Sequence, residues 1–137
     1  MPDPTQAGVP RRRCSDRKDD ASESQLESGT LIIIGGNEDK AGDRLILSEV
    51  AARANNRCMV VATVASSVPQ ENWLIYRDVF CTMGVARVEH LDIPTRCAAF
   101  RPESNKTLEG AGAVFFTGGD QGQIMNRIAG TPVHDTI

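Results

Sequence analysis

Three short stretches of this 137-residue chain set glycine or small residues beside side chains that handle polar ligands. They are Gly35-Gly36-Asn37-Glu38-Asp39-Lys40, Ala65-Ser66-Ser67-Val68-Pro69 and Thr117-Gly118-Gly119-Asp120-Gln121. Glycine pairs let the backbone approach a ligand closely and present unhindered N–H groups, which suits an anion or the oxyanion of acyl transfer. A Gly-Gly pair also simply makes a strand-to-helix turn, and Glu38, Asp39 and Asp43 favour a helix N-terminus by charge. Residue types alone leave both readings open.

Other chemistries fit less well. The first loop lacks the three spaced glycines of a dinucleotide fingerprint and puts two carboxylates where pyrophosphate would approach. Ser66-Ser67 offers hydroxyls, but no Gly-x-Ser-x-Gly elbow surrounds it, and loop serines more often bond the local backbone. His90 and His134 have no evident serine partner and read as packing or surface histidines. Cys14, Cys58, Cys81 and Cys97 show no C-x-x-C spacing, so no metal site is indicated and a reducing, cytoplasmic setting is expected.

The elements that must carry these loops follow from hydrophobic periodicity. The run Leu31-Ile32-Ile33-Ile34 reads as a strand buried on both faces, ending at Gly35-Gly36. Residues 43–54 have helical period, with Asn55-Asn56 as a stop that tolerates a left-handed cap. A second strand spans 58–63 and empties into the serine loop. Trp73, Tyr76, Phe80 and Met83 then recur at helical spacing, with Gly84 as the C-cap. A third strand spans 86–91, and residues 92–105, which contain Pro94 and Pro102, read as a loop closed by a helical turn near Leu108. The fourth strand, 113–117, runs straight into Gly118-Gly119. A short helix through Ile124, Met125 and Ile128 follows, then Thr131-Pro132 as N-cap and first turn of another.

Strands alternating with helices predict a doubly wound α/β fold with a mostly parallel sheet and right-handed crossovers. Strand order stays open between 3-2-1-4 and 2-1-3-4. In such sheets ligands bind at the carboxyl ends of the strands, where all three loops emerge.

Composition bounds the rest. Net charge is −3 and aromatic residues make up 4% of the chain, with no basic stripe interleaved with aromatics, so a nucleic-acid partner is not expected. No run approaches the ~20 apolar residues of a membrane helix, nor the ~7–15 of a secretory signal. Residues 1–29 are nearly devoid of apolar side chains and read as a disordered polar leader, leaving 30–137 as the folding part.

The segments LIIIGGNEDK (31–40), TVASSVP (63–69) and VFFTGGDQ (114–121), with Gly130-Thr131 beyond them, resemble the cyanophycinases. These are serine exopeptidases of the class I glutamine amidotransferase-like, three-layer α/β/α fold. The resemblance covers residues 30–137 and corresponds to the N-terminal portion, truncated after about four strands. It implies cyanophycin, a poly-aspartate bearing arginine on each β-carboxyl, as substrate and β-Asp-Arg dipeptides as product. It implies no cofactor, and a homodimer for the complete protein.

Carried over by motif, Gly118, Gly119, Asp120 and Gln121 lie beside the nucleophile, with the Gly119 N–H facing the oxyanion and Gln121 binding substrate. Glu38, Asp39 and Lys40 match an acidic-basic loop that orients the site, and Ser66 and Ser67 line the same edge. The departure is that the family's Gly-Thr-Ser-Ala-Gly elbow and its later histidine and acid do not occur in these residues. The expectation is a truncated product, marginal and inactive alone, because a chain ending in a two-turn helix leaves part of the fourth strand or its neighbouring helix uncovered. A same-fold Asp-specific dipeptidase and a non-catalytic binding module are the alternatives.

Overall fold

The computed structural model describes residues 29–54 and 56–137. The leader read from residues 1–29 lies, apart from Gly29, outside the described residues. The chain divides into two units, Met1–Leu31 and Ile32–Ile137; residues 29–31 of the first have neither helix nor strand.

In the second unit the elements run α1 (Leu45–Arg53), β1 (Cys58–Ala62), α2 (Pro69–Thr82), β2 (Val88–Leu91), a 3₁₀ helix (Arg96–Phe100), α3 (Pro102–Leu108), β3 (Ala111–Phe116), α4 (Gln121–Ile128) and α5 (Pro132–Thr136). The three strands form a parallel sheet in the order β2-β1-β3. Its centre is β1, buried at all five positions, as a continuous apolar run requires when a strand is covered on both faces.

The pleat divides β1 between two cores. Cys58, Val60 and Ala62 face Ala98, Ala99, Leu108, Ile128 and Val133, from the 3₁₀ helix, α3, α4 and α5. Met59 and Val61 face Leu47 and Val50 of α1 and Tyr76, Val79 and Phe80 of α2. The result is the α/β/α layering expected of an alternating sequence. Each such large apolar side chain taken from water contributes about 1.5–3 kcal/mol, so the helical stripe of α2 is a main anchor of its layer.

Three local expectations change. Residues 31–34 take no place in the sheet among the described residues; β1 is flanked by β2 and β3 instead, which excludes both expected strand orders. The segment keeps a strand's alternation, with Ile32 and Ile34 packed against the α1/α2 core and Ile33 86% exposed. Only the Ile32/Ile34 face of this segment is covered. The stretch read as a loop after residue 92 instead holds the 3₁₀ helix and α3, with Pro102 in the first turn of α3, where a missing N–H costs nothing. The stop after α1 behaves as read at Asn56, which is left-handed at φ 61°; Asn55 is not described.

Candidate functional site at the carboxyl edge of the sheet

Strand register decides which loops share an edge. Ala62 aligns with Leu91 on one side and Phe116 on the other, so Thr63, Asp92 and Thr117 leave the sheet at one level. The Thr117 N–H donates to the Ala62 carbonyl at 3.0 Å, the Asp120 N–H to the Ala65 carbonyl at 2.9 Å, and the Thr63 N–H to the Leu91 carbonyl at 3.2 Å. The Arg127 guanidinium closes the same level, donating to the carbonyls of Val64 at 2.9 Å and Ile93 at 3.3 Å.

Gly119 sits at φ 148°, and a Cβ there would be driven into the carbonyl of Ala65. Glycine is therefore required for close backbone approach, which seats the loop of residues 117–121 on the one after β1. Gly118 has open space around the position a Cβ would take. Asp120 is the N-cap of α4, its carboxylate accepting from the Gly122 N–H at 2.8 Å. Gln121 follows as the exposed first residue of that helix. Thr117 is 3% exposed, and its Oγ1 is buried without a hydrogen-bond partner.

The serine loop divides its two hydroxyls. Ser66 Oγ accepts from the Val68 N–H at 3.0 Å and the Asn72 side-chain amide at 2.9 Å, a local arrangement that starts α2. Ser67 is exposed.

The acidic-basic loop is built differently. Glu38 accepts a hydrogen bond from the Tyr76 hydroxyl and pairs with Lys40 Nζ at 3.0 Å; its own side chain is 9% exposed and that of Lys40 36%. The ammonium also lies 5.2 Å from the centre of the Tyr76 ring. Burial acts to raise the Glu38 carboxyl, but the bonds from Tyr76, its own backbone and Lys40 together outweigh burial and hold it below the usual range. Burial, then the carboxylate it donates to, pushes the Tyr76 phenol well above its ordinary value. Asp39 turns inward to its own loop, accepting from the N–H groups of Gly42 at 2.7 Å and Ala41 at 2.9 Å, which lowers its carboxyl. Tyr76 packs on Phe115 of β3 with ring centres 4.8 Å apart.

Trp73, Thr63 and His90 complete the edge. The His90 ring stacks flat on Trp73 at 4.8 Å, with 2° between planes, and its Nε2 shares a 2.8 Å hydrogen bond with Thr63 Oγ1. Burial pushes the imidazole below its usual value, with Asp92 opposing, so the ring is a neutral packing partner at pH 7. His134 accepts the Gly130 N–H at 3.2 Å. Among the described residues no group of His, Cys, Asp and Glu could hold a metal, and no helix is long and apolar enough to cross a membrane.

The residues that periodicity missed are Tyr76 and the Trp73-His90-Thr63 set. Tyr76 lies on the apolar stripe of α2, and only its polar tip hints at a partner. A groove of about 410 Å³ lies elsewhere, at the amino ends of the strands, between Ser48, Asn56, Arg57, Met83 and Val85. Its lining carries no carboxylate, imidazole or thiol.

A parallel sheet with helices on both faces is an α/β fold, the class in which ligands commonly bind at the carboxyl edge. That fold is similar to the crystal structure of a peptidase from an acI-B1 Actinobacterium, with a TM-score of 0.51 and 18% identity over 67% of this chain and 40% of that one. No family model matches the chain. By sequence it is 34% identical over 116 residues to a cyanophycinase of Trichormus variabilis, covering 82% of this chain and 39% of that protein. It is 32% identical over 107 residues to a cyanophycinase of Synechococcus elongatus, covering 77% and 33%, and 29% over 116 residues to one of Geminocystis herdmanii, covering 82% and 42%. The chain is thus a relative of the cyanophycinases, spanning about a third to two-fifths of the length of the curated relatives it matches.

Proposed function

We propose that these residues form the substrate-side edge of a cyanophycinase-like serine exopeptidase, which hydrolyses cyanophycin to β-Asp-Arg dipeptides. The kinship over 82% of the chain carries this reading, and the seating of the loop of residues 117–121 on the one after β1, at the carboxyl edge of the sheet, supports it. In this reading the Gly119 N–H faces the oxyanion, Gln121 binds substrate, and Gly118 and Asp120 shape the loop between them. An oxyanion donor of that kind contributes about 3–4 kcal/mol to the barrier. Ser66, Ser67, Glu38, Asp39 and Lys40 line the substrate side. The complete enzyme is cytoplasmic, cofactor-free and homodimeric.

The covalent route needs an activated nucleophile and a base. The hydroxyl of Ser66 is engaged with Val68 and Asn72, and among the described residues no base is paired with Ser67. These 137 residues alone are therefore expected to bind cyanophycin without cleaving it. The test is incubation of the chain with the polymer, following binding by co-sedimentation and dipeptide release by chromatography. Binding without release supports the reading. Release of β-Asp-Arg would move the nucleophile into this chain and make Ser67→Ala the first variant to assay. Failure to bind cyanophycin, with binding of α-aspartyl dipeptides instead, would overturn the substrate assignment in favour of an Asp-specific dipeptidase.

A further inference from the structure

We propose that Lys40 is the group through which this edge grips a carboxylate of its peptide ligand, with Tyr76 and Glu38 as positioning residues that hold its ammonium for the purpose. The inference deepens the cyanophycinase-like reading and rests on it for the ligand class, a peptide rich in free carboxylates.

Of the three charged residues in the motif, two are already engaged. Glu38 is nearly buried and accepts from both Tyr76 and Lys40. Asp39 accepts from the backbone of its own turn. Asp39, though exposed, can only accept; Lys40 is the motif's side-chain donor, its side chain 36% exposed, its ammonium 5.2 Å from the centre of the Tyr76 ring and one N–H directed to Glu38. An ammonium carries three donors, so capacity remains for an incoming oxygen.

The backbone on either side of Lys40 is fixed from two directions. Glu38 ties the loop to α2, and Asp39 ties it to residues 41 and 42. Gly36 at φ 90°, Asn37 at φ 50° and Arg44 at φ 50° are all left-handed within nine residues. Left-handed backbone at non-glycine positions persists only where surroundings over-determine it, and it concentrates at ligand-binding sites. The loop also ends on Arg44, whose Nε is buried and has no hydrogen-bond partner. A part-exposed ammonium with spare donors on a fixed loop is complementary to a carboxylate.

A purely structural role would call for different chemistry. Half-exposed ion pairs add little net stability, and a phenylalanine at position 76 would close the ring cluster with Phe80 and Phe115 without requiring a buried carboxylate at all. The hydroxyl of Tyr76 instead fixes Glu38, and Glu38 fixes the ammonium.

The experiment titrates the chain with β-aspartyl-arginine and with its two mono-amides, each lacking one carboxylate charge, by isothermal calorimetry, with amide-resolved NMR as a check on folding. Wild-type protein should bind the dipeptide and lose about tenfold in affinity for one of the mono-amides. Lys40→Met should bind all three equally and as weakly as that amide, Lys40→Arg should restore most of the discrimination, and Tyr76→Phe should retain only part of it. Loss of acid-over-amide discrimination is a readout that a merely structural residue would not move. A folded Lys40→Met protein that still prefers the acid, or wild-type protein that binds no carboxylate-bearing peptide, overturns the proposal. Lys40-dependent binding of α-aspartyl dipeptides without binding of β-aspartyl-arginine would sustain Lys40 while removing the cyanophycin reading.

Discussion

The loops at residues 37–42 and 117–121, two of the three glycine-bearing or polar motifs, are held by opposite means. The loop after β3 is fixed by backbone: Thr117 and Asp120 donate to Ala62 and Ala65, and Gly119 is seated by having no side chain. The loop before α1 is fixed by side chains, Glu38 reaching Tyr76 and Asp39 bonding its own turn. A loop made by close backbone contact has little freedom to vary in composition or charge, which suits a donor aimed at a reacting atom. A loop made by ionisable side chains responds to pH and to ligand charge, which suits recognition.

The largest effect should come from breaking the backbone contact. Gly119→Ala places a methyl against the Ala65 carbonyl at a conformation unfavourable to side chains, and is expected to cost about 3 kcal/mol or more. Urea unfolding monitored by Trp73 fluorescence would measure it; a change under about 1 kcal/mol would show that the loop yields, and that backbone contact does not define it. Tyr76→Phe comes next. It keeps the ring packing with Phe115 but removes the donor to a nearly buried carboxylate, at an expected cost of about 1–2 kcal/mol. Ser66→Ala ranks third at about 0.5–1 kcal/mol, because its hydroxyl bonds an exposed backbone N–H and one side-chain amide that water can replace.

The same contrast explains what the sequence disclosed. The loop held by backbone was readable because its composition is the mechanism: Gly118-Gly119-Asp120 after an apolar run announces a strand end, a tight approach and a helix cap. The core strands and α2 were readable because burial on both faces makes a strand a continuous apolar run and burial of one face gives a helix a 3.6-residue period. The link from Glu38 to Tyr76 was not, because it joins residues 38 positions apart in the chain and tyrosine on an apolar stripe looks like any other core aromatic. Residues 31–34 misled for a related reason. An apolar run reports a wish for burial, while partners elsewhere in the chain decide whether it joins a sheet, and here β2 and β3 flank β1. Pro102 was read as a break although its place in the first turn of α3 is one that proline fits.

The smallest predicted effect separates the two loops by pH. The Glu38 and Asp39 carboxyls are held below their ordinary values of 4.5 and 3.8 in the folded chain. A depressed carboxyl contributes stability that is fully present above its unfolded value and is lost as pH falls through the folded one. The anchors of residues 37–42 should therefore hold at pH 6 and weaken progressively below about pH 4.5. Hydrogen exchange, corrected for the intrinsic rate at each pH, should show protection at Ala41 and Gly42 falling across this range while Thr117 and Asp120, whose N–H groups bond backbone carbonyls, keep theirs. Parallel loss at all four amides would mean that acid opens the whole edge as one unit. Loss at Ala41 and Gly42 alone would identify the acidic-basic loop as the separately adjustable half of the site, able to change its grip on a charged ligand while the Gly119 loop stays in place.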